Sequence, residues 1–383
     1  MLRYLTAGES HGPGLVTVVE GLPAGLEVSA TVLAAELARR RSGFGRGKRM
    51  SIEEDELEIL GGVRFGRTIG GPVSVLVRNT EWPRWKEQMS PAPPVSGKRL
   101  TTPRPGHADL AGMLKYDTTD ARDILERSSA RETAARTVAG SLAKSLLGEV
   151  EVGIVSHVVA LGGITVAAGT APGPDDLEAV DRSPVRCLDP VAEAAMVAAI
   201  EQATADKDTL GGVVEVLAYG VPAGVGSHTH WDRRLDAALA GALMSIQAIK
   251  AVEVGDGFES AARMGSAAHD EIDWSDSGFS RPTDRAGGIE GGMSTGQPVR
   301  VRAAMKPLST LMRSLRSVDV ETKEPAEAFR ERSDVCAVPA AGVVAEQMVA
   351  LVLVAEMQRM FGGDTTADFV SAADAYRRRI ADF

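Results

Sequence analysis

Two histidines sit in glycine-flanked turns, His11 in Gly8-Glu9-Ser10-His11-Gly12 and His107 in Arg104-Pro105-Gly106-His107-Ala108-Asp109. Imidazole titrates near neutral pH, so two in comparable turns can act as a proton donor and acceptor pair. The glycines let backbone approach a ligand closely. Cationic groups gather elsewhere: Arg39 to Arg49 holds six basic residues and three glycines with no acid, an excess that repels itself unless an anion sits there. In Arg127-Ser128-Ser129-Ala130-Arg131-Glu132, Ser129 precedes Glu132 by three residues. That is a capping box, and a helix should begin there, its N–H groups and positive dipole end lying beside Arg127 and Arg131. Lys306-Pro307-Leu308-Ser309-Thr310 offers a lysine and two hydroxyls to a phosphate. The chemistry these groups suit is proton transfer on a small polyanion.

Periodicity supplies the elements that must position them. Helices are expected over 29–40, after Ser129, around 190–205, over Leu235 to Val252, where Gln247 and Lys250 interrupt an apolar stretch, and over Val343 to Met360. Glu346 lies inside the last, and a buried Glu there would need a partner. Strands are expected at Leu15–Val19, Pro72–Arg78, Glu151–Ala160 and Gly211–Ala218. The pattern by itself indicates an α+β fold. Trp82 to Pro105 contains six prolines, which predicts a long lid or binding loop. Gly287 to Gly296 has five glycines in ten residues, read as turns wrapped around a ligand, and its spacing does not match a dinucleotide fingerprint. His228 and His230 have no third ligand at a familiar spacing, so no metal site is expected.

The totals narrow the class. A net charge of −10 over 383 residues argues against general nucleic-acid binding. The longest apolar run near the C-terminus, Met348 to Ala355, is eight residues, so no bilayer span is expected. The first residues lack an apolar signal core, which predicts a cytoplasmic location. Cys187 and Cys336 form no Cys-x-x-Cys pair and are expected to be ordinary thiols.

With these motifs assembled, the chain resembles the chorismate synthases over essentially its whole length. The resemblance is carried, in family order, by Gly8-Glu-Ser-His-Gly12, the Gly/Arg loop, Arg104-Pro-Gly-His107, Arg127-Ser-Ser-Ala-Arg-Glu-Thr-Ala134, the Gly287 to Gly296 run, and Arg332-Ser-Asp334 ahead of Val343-Val-Ala-Glu346. One departure is local: many members have a glycine run before Arg-Ser-Ser, where this chain has Ile124-Leu125-Glu126.

The resemblance implies one domain over 1–383, a β-α-β sandwich with long helices between two antiparallel sheets, and mobile loops at about 39–50 and 82–106. It implies a homotetramer and a lyase that converts 5-enolpyruvylshikimate 3-phosphate to chorismate and phosphate by anti-1,4-elimination. That step, the last of the shikimate pathway to aromatic amino acids, uses reduced FMN without net redox change. His11, His107 and Asp334 would be catalytic, and Ser10, Arg49, Arg104, Arg131 and Arg332 would bind substrate. Arg127, Ser128, Ser129, Gln247, Ala248, Gly291, Lys306 to Thr310 and again Arg332 would line the FMN. Arg40 and Arg46 match positions linked to NADPH, a cofactor only if the chain reduces its own flavin; with no reductase domain in view, an external reductase is expected. The competing classes are a flavin-dependent oxidoreductase and a non-catalytic phosphate or nucleotide binder, with RNA binding through 39–49 a further option.

Overall fold

The computed structural model describes residues 2–47, 55–93, 97, 99–276, 278–331 and 333–383. The first sheet is built from β1 (Arg3–Ala7), β2 (Gly14–Glu20), β3 (Leu57–Gly61) and β4 (Val73–Arg78), in the order β1-β2-β4-β3 with every pairing antiparallel. Val73, Val75 and Val77 alternate into the core, as a half-buried strand requires. Between β2 and β3 runs helix α1 (Ala30–Arg41). After β4 come a one-turn helix α2 (Trp82–Trp85), α3 (Asp109–Tyr116), α4 (Arg122–Ser128) and the long α5 (Thr133–Gly148).

The second sheet follows. Its strands β5 (Gly153–Leu161), β6 (Gly212–Tyr219), β7 (Ile249–Val254) and β8 (Val299–Met305) lie in the order β7-β8-β6-β5, again antiparallel, with Ile164–Thr165 at the edge. Helices α6 (Pro190–Ala205) and α7 (Leu235–Met244) connect them, and α8 (Val338–Phe361) closes the core. Between the sheets α5 packs on β2 and α8 on β5 and β6, while α5 and α8 pack on each other. One continuous apolar cluster runs through both sheets and the helices, from Leu2 to Ala373.

Small residues let the central helices approach. A Cβ added at Gly140 of α5 would lie 2.6 Å from the Cα of Gln347 on α8, closer than packed atoms allow. Helix α8 is apolar nearly all round, which suits a helix with protein on every side. By length and composition it could cross a membrane, contrary to the expectation from the shorter apolar run; its apolar window is 89% buried inside the protein.

Three expectations change. The helix predicted over Leu235 to Val252 stops at Met244; Ala248 takes a positive φ of 66°, and Ile249–Val254 becomes a strand paired with β8. The β-branched Ile249, Val252 and Val254 prefer a pleated surface once β8 is there to pair with. The Gly287 to Gly296 run is a small hairpin, Ile289–Glu290 with Met293–Ser294, packed on neighbouring backbone. Gly288, at φ 70°, would place a Cβ 2.3 Å from the carbonyl oxygen of Pro298, so its glycine serves close packing of chain on chain. The capping box does not form. Ser129 breaks α4 in extended geometry and accepts from the Arg131 N–H, while the Glu132 carboxylate instead takes bonds from Thr6, Arg136 and Gln247.

Candidate active site

Most of the residues singled out above meet at one cavity of about 1310 Å³, walled by α2, the α4–α5 break, the turn after β8 and the start of α8. Among the described residues, six cationic side chains line it, Arg40, Arg46, Arg84, Arg104, Arg131 and Lys306, against three carboxylates, Glu81, Glu331 and Asp334. In a chain of net charge −10 this bias makes the cavity a site for anions.

Each histidine is backed by a buried carboxylate. His11 Nδ1 lies 2.8 Å from Glu126 Oε1, and the His11 backbone N–H donates to Glu126 Oε2 at 2.7 Å. The Trp85 ring covers the imidazole, with centroids 4.0 Å apart. Burial alone would raise the Glu126 carboxyl, but the hydrogen bonds and charge of His11, with help from Arg122, carry it below its ordinary value. His107 Nδ1 bonds Asp109 Oδ1, and Arg104 braces the pair: its Nε reaches Asp109 Oδ2 at 2.8 Å and a terminal nitrogen reaches His107 Nδ1 at 3.0 Å. Asp109 has no exposed surface. Its burial would raise it too, yet His107 and Arg104 hold it at about 2. The His11 turn thus presents an imidazole whose Nδ1 is tied back to a carboxylate, the arrangement that fixes a tautomer and a ring orientation, while His107 is held in place between an acceptor, Asp109, and a donor, Arg104.

The arginines are held by acids from distant parts of the chain. Arg131 donates to Asp55 at 2.6 Å, and Arg40 and Arg41 lie 3.7 and 3.4 Å from the same carboxylate. Arg46 pairs with Asp334 at 2.8 Å, and Asp334 also accepts from the Gly47 N–H. Arg39 turns inward to the fully buried Glu346. The 39–47 segment is therefore not an uncompensated basic loop, because its partners arrive by folding from positions no local pattern displays. Lys306 bonds the Gly106 carbonyl and Arg104 reaches Thr310 at 2.8 Å, which ties the turn after β8 to the His107 turn.

Ser10, Ser128, Ser129, Gln247, Ala248, Leu308 and Ser309 also border the cavity. Three expected residues do not. Arg127 points to β1, bonding the Gly8 carbonyl at 2.9 Å and Thr6 at 3.0 Å, since the α4–α5 break turns its side chain outward. Gly291 occupies the turn of the small hairpin, and Pro307 stacks over Gly211. Arg49 and Arg332 lie outside the described residues. Sequence reasoning passed over Glu126, Asp109 and Trp85; only Asp109, two residues after His107, had a local signal.

The arrangement matches known proteins along the entire chain. The family model for chorismate synthase matches residues 2–358. The chain is 60% identical over 385 residues to the chorismate synthase of Acidothermus cellulolyticus and 59% identical over 386 residues to that of Thermobifida fusca, with 98% of each chain covered in both cases. A crystal structure of chorismate synthase superposes with a TM-score of 0.81 at 38% identity, covering 100% of this chain and 99% of the other. Family model, near-full-length sequence identity and fold agree that this chain belongs to the chorismate synthase family.

Proposed function

We propose that the chain catalyses the anti-1,4-elimination of phosphate from 5-enolpyruvylshikimate 3-phosphate, giving chorismate, with reduced FMN as cofactor and no net redox change. The observation that carries this reading is the convergence, among the described residues, of two carboxylate-backed histidines and six cations on one cavity. The residues suit the flavin. Gln247 borders the cavity with Oε1 buried and lacking a hydrogen-bond partner among the described residues, an acceptor suited to a ligand N–H, and Lys306, Ser309 and Thr310 offer cationic and hydroxyl contacts to its phosphate. Reduced FMN, when bound, supplies electron density that helps the phosphate leave.

The chain's own residues do the rest. Arg104 and Arg131, already desolvated, bind the phosphate and carboxylate groups of the substrate through charge-assisted hydrogen bonds. One imidazole keeps the departing phosphate protonated and the other holds a proton beside the flavin. Asp334, on the same wall, would accept the flavin proton during the step in which the substrate loses its hydrogen. A cytoplasmic homotetramer supplied with reduced flavin by an external reductase is part of the same proposal, with NADPH serving the chain itself only if Arg40 and Arg46 bind it.

The test is anaerobic release of phosphate and chorismate with chemically reduced FMN and no NADPH, repeated with oxidised FMN plus NADPH. Turnover is expected in the first and silence in the second. His107→Ala should keep FMN affinity and lose turnover by roughly 10²-fold or more. Stoichiometric consumption of NADPH with product would indicate an oxidoreductase instead, and ligand binding without turnover in either arm would leave a binding protein.

A further inference from the structure

We infer that Glu126 is a positioning residue for His11, setting the imidazole so that Nδ1 carries the fixed proton and exchange with the cavity runs through Nε2. The inference rests on the elimination proposed above, which gives His11 a proton to move.

Three bonds join Glu126 to the His11 turn. The Ser10 N–H donates to the Glu126 carbonyl at 3.0 Å, the His11 N–H to Oε2 at 2.7 Å, and His11 Nδ1 meets Oε1 at 2.8 Å. An ionised carboxylate can only accept, so Nδ1 must be the donor. Backbone and ring are thereby held by the two oxygens of one group. Trp85, tilted 41° against the imidazole, blocks the rotation that would release the ring.

The carboxylate stays charged although only 3% of Glu126 is exposed, because the His11 ring and backbone hydrogen bonds favour the ionised form, with help from Arg122, one helical turn earlier on α4 and 3.3 Å from Oε1. Arg122 also lies over the Trp85 ring at 5.1 Å and donates to Glu331 at 2.8 Å, which fixes it in turn. All of this depends on α4 being a helix up to Ser128. The segment Ile124-Leu125-Glu126 continues the helix, which presents Arg122 and Glu126, four residues apart, on one face. Glutamine at 126 could not replace the carboxylate: with its amide oxygen accepting the backbone N–H, its amide nitrogen would donate to Nδ1 and hold the opposite tautomer, with the ring proton on Nε2.

The experiment is ring-nitrogen NMR of the full chain labelled with 15N-histidine. The chain has six histidines, and the His11 signals are assigned by their loss in His11→Asn. In neutral wild-type His11 the proton is expected on Nδ1. In Glu126→Gln the ring proton should move to Nε2, and kcat should fall by about 10²- to 10⁴-fold, as when a catalytic imidazole is held in the wrong tautomer, while KM and FMN affinity stay within about twofold. A wild-type His11 protonated on Nε2 overturns the inference whether or not Glu126→Gln folds, and so does an unchanged kcat in that variant. Wild-type chain with the Nδ1–H tautomer but no chorismate formation refutes the elimination and leaves the positioning intact.

Discussion

At the scale of single residues, the site is a set of charges placed where water cannot screen them. Asp109 has the most measurable consequence. With a folded value of about 2 against an ordinary 3.8, it is ionised more readily in the native state than in the unfolded chain. Such a carboxyl adds stability above its unfolded value and loses it as the pH falls from about 4 through about 2, a term on the order of 2 kcal/mol. Urea unfolding between pH 5 and pH 2 should therefore fall more steeply for the wild-type chain than for Asp109→Asn; parallel curves would show that the His107–Arg104 pairing does not favour the ionised form. The residue types at His11, His107, Arg104 and Arg131 announce anion and proton chemistry in the bare sequence. Two of their orienting partners do not, because Glu126 is 115 positions from His11 and Asp55 is 76 from Arg131; only Asp109, two residues after His107, stands close by.

Elements answer a different question, which is how a cavity full of arginines is kept rigid. Helix α1 delivers Arg40 to the wall and is itself anchored by Arg39, whose guanidinium donates to Glu346 Oε2 at 2.8 Å and Oε1 at 2.9 Å. Glu346 sits fully buried on α8 and also takes Arg186 at 2.9 Å, Lys144 at 3.1 Å and the Ser156 hydroxyl at 2.7 Å. Burial would raise its carboxyl, yet Lys144, Arg39 and Arg186 together drive it well below the ordinary range. Glu346→Gln keeps the volume and removes the charge that compensates three cations, so it should destabilise the protein by about 3–5 kcal/mol. Chemical denaturation measures this, and a loss under 1 kcal/mol would show that the network contributes little to stability. The sequence displays Glu346 within an apolar helix and leaves its environment open, since a helical repeat does not say which elements surround it.

The whole molecule decides where the cavity is. Its lining runs from Ser10 to Val344, so it exists only while both sheets and the helices between them are docked. FMN should therefore bind the native chain and not the unfolded one, adding about 2.7 kcal/mol at a concentration 100-fold above its Kd. Calorimetric melting with and without FMN tests this, and a melting temperature unmoved by saturating FMN would contradict it. Full-length motif order made the family legible from sequence alone, and with it the fold, because glycine-bracketed histidines and arginine-rich turns in that succession are specific in combination. Local patterns also located most strands and helices, since burial on one face imposes a period of 2 or 3.6 residues. Tertiary structure alone decided that Leu235 to Val252 divides into helix and strand, that the glycine run packs on backbone, that Arg127 turns away from the cavity, and that Glu126 backs His11. Strand pairing, helix packing and ion pairing between segments apart in the chain leave no periodic trace along it, so those choices are made only when the segments meet.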